Sequence, residues 1–165
     1  MAFDKRIMID LPCGISYSLE HLMLDLNGTL TFDGRFIDGV CERLIAVSRI
    51  LNLHIVTADM NRNVDELAQK VSDACSIDVH RLAPGRGDLQ KLAYLDHLGR
   101  EATASIGNGC NDVLMLKESA LGICVLGPEG ASTEALMASD ITFPNIRDAL
   151  DIFLKPNRLI ATLRK

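Results

Sequence analysis

Tryptophan is absent from this chain of 165 residues, and aromatic residues of all kinds make up only 4% of it. A protein that holds single-stranded nucleic acid by base stacking needs aromatic platforms, so the composition speaks against that class. Positive charge is also scarce, with 17 Lys and Arg against 22 Asp and Glu and a net charge of -5. Nucleic acid and anionic membrane surfaces are therefore not expected as partners. No apolar run approaches membrane-spanning length. The five cysteines, Cys13, Cys41, Cys75, Cys110 and Cys124, are odd in number and show no C-x-x-C spacing. They read as reduced thiols of a cytoplasmic protein, with neither a disulfide framework nor a zinc site. The start, Met1 to Arg6, is followed by only a few apolar residues and does not read as a signal peptide. There is no repeat, linker or low-complexity segment. With 48% hydrophobic residues, residues 1–165 are expected to form a single domain with a substantial core.

What the chain does have is alternation. Short apolar runs at Ile7–Leu11, His21–Leu26, Leu53–Val56, Ile77–Leu82, Ala102–Ile106, Leu121–Leu126 and Ile141–Phe143 read as strands. Between them, Val40–Leu51, Asn63–Ala74, Asp88–Leu98, Asn111–Glu118 and Ala131–Ala138 read as helices, and Asn145–Leu154 and Asn157–Lys165 close the chain as two more. Ile15–Leu19 is expected to pair back on the first strand, and Asp33-Gly34 marks a small hairpin flap within Thr31–Asp38. Strands alternating with helices imply right-handed crossovers and an α/β fold with a mostly parallel sheet.

The stretch His21-Leu22-Met23-Leu24-Asp25-Leu26-Asn27-Gly28-Thr29-Leu30 stands out. A buried strand delivers Asp25 to its carboxyl end, where ligands bind in open α/β sheets. Gly28 lets the backbone turn there and is expected to expose amide N–H groups, and Thr29 adds a hydroxyl. A carboxylate beside such donors can attack a phosphoryl group, although an Asp that merely caps a turn would look the same in isolation. Three further polar clusters fall at strand ends that should converge. They are Thr57-Ala58-Asp59, the loop before Lys91, and Gly107-Asn108-Gly109-Cys110-Asn111-Asp112. The last fails the dinucleotide fingerprint, because Asp112 stands where the final glycine would be. A carboxylate there would repel a pyrophosphate but could hold a divalent cation beside Asp25. Arg86 competes with Lys91 as the site's cation. His21, His54, His80 and His97 are scattered in sequence and read as structural or surface residues.

Taken in order, Asp-Leu-Asn-Gly-Thr-Leu, Thr57, Lys91 and Gly-Asn-Gly-Cys-Asn-Asp resemble the motifs of the haloacid-dehalogenase (HAD) superfamily. Within it, Gly107 to Leu116 is similar to the hinge motif of the phosphorylation domain of P-type ATPases, and the chain resembles small soluble relatives of that domain. The resemblance implies a three-layer HAD-like fold with central strand order 5-4-1-2-3 and no cap domain. It implies Asp25 as a nucleophile that becomes an aspartyl phosphate, with Lys91 neutralising its charge. It places Asn27, Gly28, Thr29, Thr57, Ala58 and Lys91 against the substrate. It places Asp25, Asn27 through its main-chain carbonyl, Asn108 and Asp112 around Mg²⁺. The implied activity is that of a Mg²⁺-dependent phosphatase acting on a small-molecule or protein phosphate.

Two positions depart from the family pattern. Hydrolytic members usually carry Asp two residues after the nucleophile, where this chain has Asn27, and an amide cannot carry protons near neutral pH. The hinge motif usually has Asp where this chain has Asn108, which removes a metal carboxylate. Turnover is therefore expected to be weak, and a non-hydrolytic phosphate-binding or regulatory module is the competing reading. Both departures are Asn-Gly pairs, which are prone to deamidate to Asp. A site with no cap is open, so a homo-oligomer that shields it is expected.

Overall fold

The computed structural model describes residues 5–59, 69, 73 and 75–165. Its centre is a six-stranded parallel sheet. In spatial order the strands are β10 (Ile141–Phe143), β9 (Leu121–Val125), β8 (Thr103–Gly107), β3 (His21–Leu24), β6 (Asn52–Thr57) and β7 (Ile77–Arg81). The expected inner order is thus present, with β10 added at one edge. β1 (Ile7–Asp10) and β2 (Ser16–Leu19) pair as an antiparallel hairpin outside this sheet, and β4 (Thr31–Phe32) and β5 (Arg35–Phe36) form the flap.

The strands alternate their side chains between two apolar layers. Leu22 and Leu24 of β3, Leu53 and Ile55 of β6, and Leu121, Ile123 and Val125 of β9 enter one core. There they meet Val40, Leu44 and Val47 of α1 (Val40–Val47) and Ile146, Leu150 and Phe153 of α5 (Ile146–Leu154). Met23, Val56 and Cys124 point the other way, onto a second core. That core is completed by Leu95 of α2 (Gly87–Leu98), Met115 and Leu116 of α3 (Val113–Glu118) and Ala135 of α4 (Thr133–Ala138). The last helix, α6 (Asn157–Leu163), adds Leu159 to the first core. This is the three-layer α/β arrangement that the alternation predicts.

Of the helix boundaries that differ from the sequence reading, three have a clear local reason. The helix expected to reach Leu51 ends at Val47, because the Ser48 hydroxyl donates to the Ile45 carbonyl at 2.8 Å and the amides of Ile50 and Leu51 both turn to the Val47 carbonyl. The helix expected from Asn111 starts with a tight 3-10 turn over Cys110–Asp112. The helix expected from Ala131 waits for Ser132, whose hydroxyl accepts the Ala135 amide at 3.0 Å and caps α4. The helix expected over Asn63–Ala74 lies, apart from two residues, outside the described residues.

Sheet and second layer pack closely where β9 meets α3. A Cβ on Gly122 would lie 2.0 Å from the Leu116 carbonyl oxygen, so only glycine fits that position of the strand.

Candidate active site

The carboxyl ends of β3, β6 and β8 and the buried face of α2 converge on one point. Asp25 directly follows β3 and is anchored by its amide, which donates to the Ile106 carbonyl of β8 at 3.0 Å. Lys91 is fully buried on α2. Its ammonium donates to Asp25 Oδ1 and to Asp112 Oδ1, both at 2.6 Å. The other oxygen of Asp112 accepts the backbone amides of Asn108 and Gly109, at 3.0 and 2.9 Å. Asp112 can sit this close to the loop because residue 107 is glycine. A Cβ there would come within 2.5 Å of the Asp112 carboxyl carbon.

Two carboxylates against one ammonium leave this buried cluster with net negative charge. Burial, and then Asp112, push the Asp25 carboxyl up to about 6, against the pull of Lys91 and Thr29. Burial works against the charge on Lys91, but Asp25 and Asp112 outweigh it and hold the ammonium above the ordinary lysine value. Arg86, the competing cation, is exposed on its loop and pairs with Asp88 at 2.5 Å. The structure therefore puts Lys91, not Arg86, between the carboxylates.

The remaining predicted residues surround this triad. The Thr29 hydroxyl lies 3.2 Å from Asp25 Oδ2 and 3.3 Å from Asn108 Oδ1. Asn108 ties the site to the loop after β9, since its Nδ2 donates to the Gly130 carbonyl at 3.0 Å and its carbonyl accepts the Ser132 amide at 2.8 Å. Thr57 ends β6, buried, with its hydroxyl oxygen accepting the Asp59 amide at 3.0 Å. Ala58 follows it, exposed at the rim.

The loop after Asp25 differs from expectation. The Gly28 amide donates to the Thr31 carbonyl at 3.0 Å and the Thr29 amide to the Leu26 carbonyl at 3.3 Å. These N–H groups hold the turn itself together and do not face an incoming anion, as the sequence reading supposes. Gly28 is still required. It has φ 76, and a Cβ would lie 2.5 Å from Glu129 Oε2 and 2.7 Å from Asn108 Nδ2. Asn27 is held at both ends of its amide, donating to Asp59 Oδ2 at 3.0 Å and accepting from the Thr31 hydroxyl at 3.3 Å. Asp59 is thus a member of the site's rim as well as a turn residue, a role its place two residues beyond Thr57 could have flagged. Glu129 was missed altogether, because nothing in Gly127-Pro128-Glu129 shows that the loop folds back over Gly28.

Among the described residues, no cluster of three or more His, Cys, Asp or Glu side chains forms a metal cage. Mg²⁺ does not need one. It takes one or two carboxylates and fills its octahedron with carbonyls, waters and phosphate oxygens. Asp25 and Asp112, with their excess negative charge, fit that demand.

This architecture is the HAD-like fold. The chain superposes on 3-deoxy-D-manno-octulosonate 8-phosphate phosphatase from Moraxella catarrhalis, solved with magnesium, phosphate and KDO, with a TM-score of 0.63 and 20% identity over 88% of this chain and 94% of that one. The cobalt-bound deoxy-D-mannose-octulosonate 8-phosphate phosphatase from Haemophilus influenzae gives a TM-score of 0.66 at 12% identity, over 89% of this chain and 94% of that one. A haloacid dehalogenase-like hydrolase from Bacteroides thetaiotaomicron gives 0.62 at 12% identity, over 81% and 98%. No family model matches the chain. By sequence it is 46% identical over 90 residues to an uncharacterized protein of Methanocaldococcus jannaschii, a stretch that is 52% of this chain and 97% of that protein. The chain belongs to the same family as that archaeal protein.

Proposed function

We propose that the chain is a Mg²⁺-dependent phosphohydrolase that works through an aspartyl phosphate on Asp25. The observation that carries this reading is the buried bridge from Asp25 through Lys91 to Asp112 at the strand ends. A carboxylate oxygen of Asp25 attacks phosphorus, the bond to the leaving oxygen breaks, and water then displaces phosphate from Asp25. Phosphoryl transfer asks mostly for positioning and charge stabilisation. Lys91 supplies a fixed positive charge beside the attacking oxygen, and the hydroxyls of Thr29 and Thr57 are donors for phosphoryl oxygens. Asp25, Asp112, Asn108 and the main-chain carbonyl of Asn27 would hold Mg²⁺, which when bound neutralises charge on the transferring group. The Asn27 amide neither protonates a departing alkoxide nor takes a proton from water near neutral pH, so breakdown of the phosphoenzyme is slow and activated esters such as aryl or acyl phosphates are favoured.

The substrate is a small phosphate ester or a phosphorylated protein. The octulosonate phosphates named for the structural neighbours are one class to include in a screen. The resemblance to the phosphorylation domain of P-type ATPases rests on the run Gly107–Leu116. Among the described residues, the β4–β5 flap and the loop that carries Glu129 lie beside the site, and a second copy of the chain is proposed as its cover. Light scattering that gives a monomer at working concentration removes that last point.

A second reading, a module that binds phosphate or a phosphorylated partner without turnover, is favoured by the locked amide of Asn27. One experiment separates the two. Fresh protein is screened with aryl, acyl and sugar phosphates and its intact mass is measured after acid quench. Turnover with an acid-trapped phosphoryl adduct that Asp25→Asn abolishes supports the hydrolase. Equal turnover in that variant refutes the nucleophile. Phosphate binding with no adduct from any donor establishes the module.

A further inference from the structure

All four histidines of the chain gather at one place, around Tyr94 of α2. His21 opens β3 and His54 lies in β6, on the face of the sheet that α2 covers. His21 Nδ1 and His54 Nε2 are 3.0 Å apart, and His54 Nδ1 is 3.1 Å from the Tyr94 hydroxyl. His80 of β7 stacks on the Tyr94 ring with centroids 4.4 Å apart, and His97, one turn further along α2, lies tilted against it at 6.2 Å. Asp78 of β7 reaches His54 Nδ1 at 3.5 Å. The sequence reading took these histidines as scattered. Strand register and a helix turn bring them together.

The elements that meet here are the ones that carry the phosphoryl site. His21 and Asp25 share the β3 segment, His54 and Thr57 share β6, and Tyr94 stands three residues after Lys91 on α2. At about 3.3 Å per strand residue, the cluster lies roughly 10–13 Å back along the strands from the site. We infer that the His21–His54–Tyr94 chain is a proton-operated clasp that positions α2, and with it Lys91, against the sheet. This inference rests on the hydrolase reading only in giving Lys91 a task.

The chemistry is set by hydrogen-bond donors and acceptors. In the neutral state one imidazole donates across the 3.0 Å contact and the other accepts, which satisfies both. Two protonated rings would aim N–H at N–H with like charge, and the contact must open. His54 is buried, and its pKa is lowered to about 4 by burial first, then by His21, with Asp78 opposing and His97 adding to the fall. His21 is lowered too, by burial against Glu20 and Asp78. The groups facing His54 are therefore His21 from β3, Asp78 from β7, and Tyr94 and His97 from α2, with His80 of β7 stacked on the Tyr94 ring. Mild acid favours any state that exposes His54 to water, and with β3 and β6 held by their pairing the element that lifts off it is α2, which carries Tyr94 and Lys91.

Hydrogen exchange of the α2 amides tests this at about pH 7.5 and pH 5, corrected for the intrinsic pH dependence of exchange. The amides of α1, on the opposite face, are the control. Opening that returns His54 to solvent gains from its protonation, so α2 protection in the parent falls at least about tenfold on acidification while α1 changes much less. In His54→Gln that extra fall disappears. Tyr94→Phe keeps both imidazoles but cuts the link, and lowers α2 protection already at the higher pH. Equal acid sensitivity of α1 and α2, the same fall in His54→Gln, or unchanged α2 protection in Tyr94→Phe overturns the clasp. If His54→Gln does not fold, the parent comparison and Tyr94→Phe decide. A chain with no phosphatase activity at any pH refutes the hydrolase and leaves the exchange result standing.

Discussion

Replacing Asp25 by Asn should make the protein inactive and more stable at once. Burial and Asp112 raise the Asp25 carboxyl from 3.8 to about 6. A shift of about 2 units corresponds to roughly 3 kcal/mol, at about 1.4 kcal/mol per unit. The sign follows from proton uptake. Between the two values the folded chain holds a proton that the unfolded chain has released. The carboxyl therefore favours folding most at pH below 3.8, and that contribution is lost as pH rises through about 6. An amide does not ionise and escapes this loss. In a buffer with chelator at about pH 7.5, Asp25→Asn should gain up to about 3 kcal/mol, or roughly 6–12 °C in Tm for a chain of this size. The gain should fade as the pH is lowered toward 4. Urea unfolding of parent and variant at both pH values reads it, with phosphatase turnover measured in parallel. A variant less stable than the parent at neutral pH, or a gain that does not change with pH, would refute the argument that Asp25 is held in its charged form against burial.

Asn27→Asp should raise turnover at least roughly tenfold, most for poor leaving groups, and shrink any pre-steady-state burst, since acid–base help is worth about 10²- to 10⁴-fold. The new carboxylate would meet Asp59 where the amide now sits at 3.0 Å, and a carboxylate pair that shares a proton keeps one near neutral pH; unchanged turnover and burst would show that position 27 faces away from the chemistry. Asn108→Asp should tighten Mg²⁺ binding in calorimetry, at a loss of about 1 kcal/mol in stability from the broken bond to the Gly130 carbonyl; weaker binding would mean the residue does not face the metal. Gly107→Ala should displace Asp112, into which its Cβ projects at 2.5 Å, and cost about 1–3 kcal/mol by overpacking together with most of the activity; a parent-like unfolding midpoint and turnover would show that the loop yields freely.

The layers were legible because strands buried on two faces are continuous apolar runs, and alternation with helices leaves few topologies; the strand order came from the family resemblance. Asp25, Thr57, Lys91 and Asp112 were legible as candidates because each falls at a strand end or on a helix that follows one. What the sequence hid were contacts made by register and by loops. The meeting of His21 with His54 depends on β3 and β6 lying side by side in one register. The placing of Glu129 over Gly28 depends on a loop with no periodicity. The amides of Gly28 and Thr29 were misjudged for a related reason. A glycine turn signals that the chain reverses, but not which carbonyls its N–H groups will find.

Strand order also bears on synthesis. β3 is made early, yet its two neighbours in the sheet are β6 and β8. As the chain leaves the ribosome, Asp25 emerges well before Lys91, and Asp112 comes later still. Until β8 arrives, one edge of β3 lacks its partner, and an unpaired apolar strand is where chains stick to one another. A nascent chain arrested before residue 103 would carry the nucleophile with no finished site around it. Aggregation in such a chain should therefore be sought at His21–Leu24, the strand that becomes the middle of the sheet.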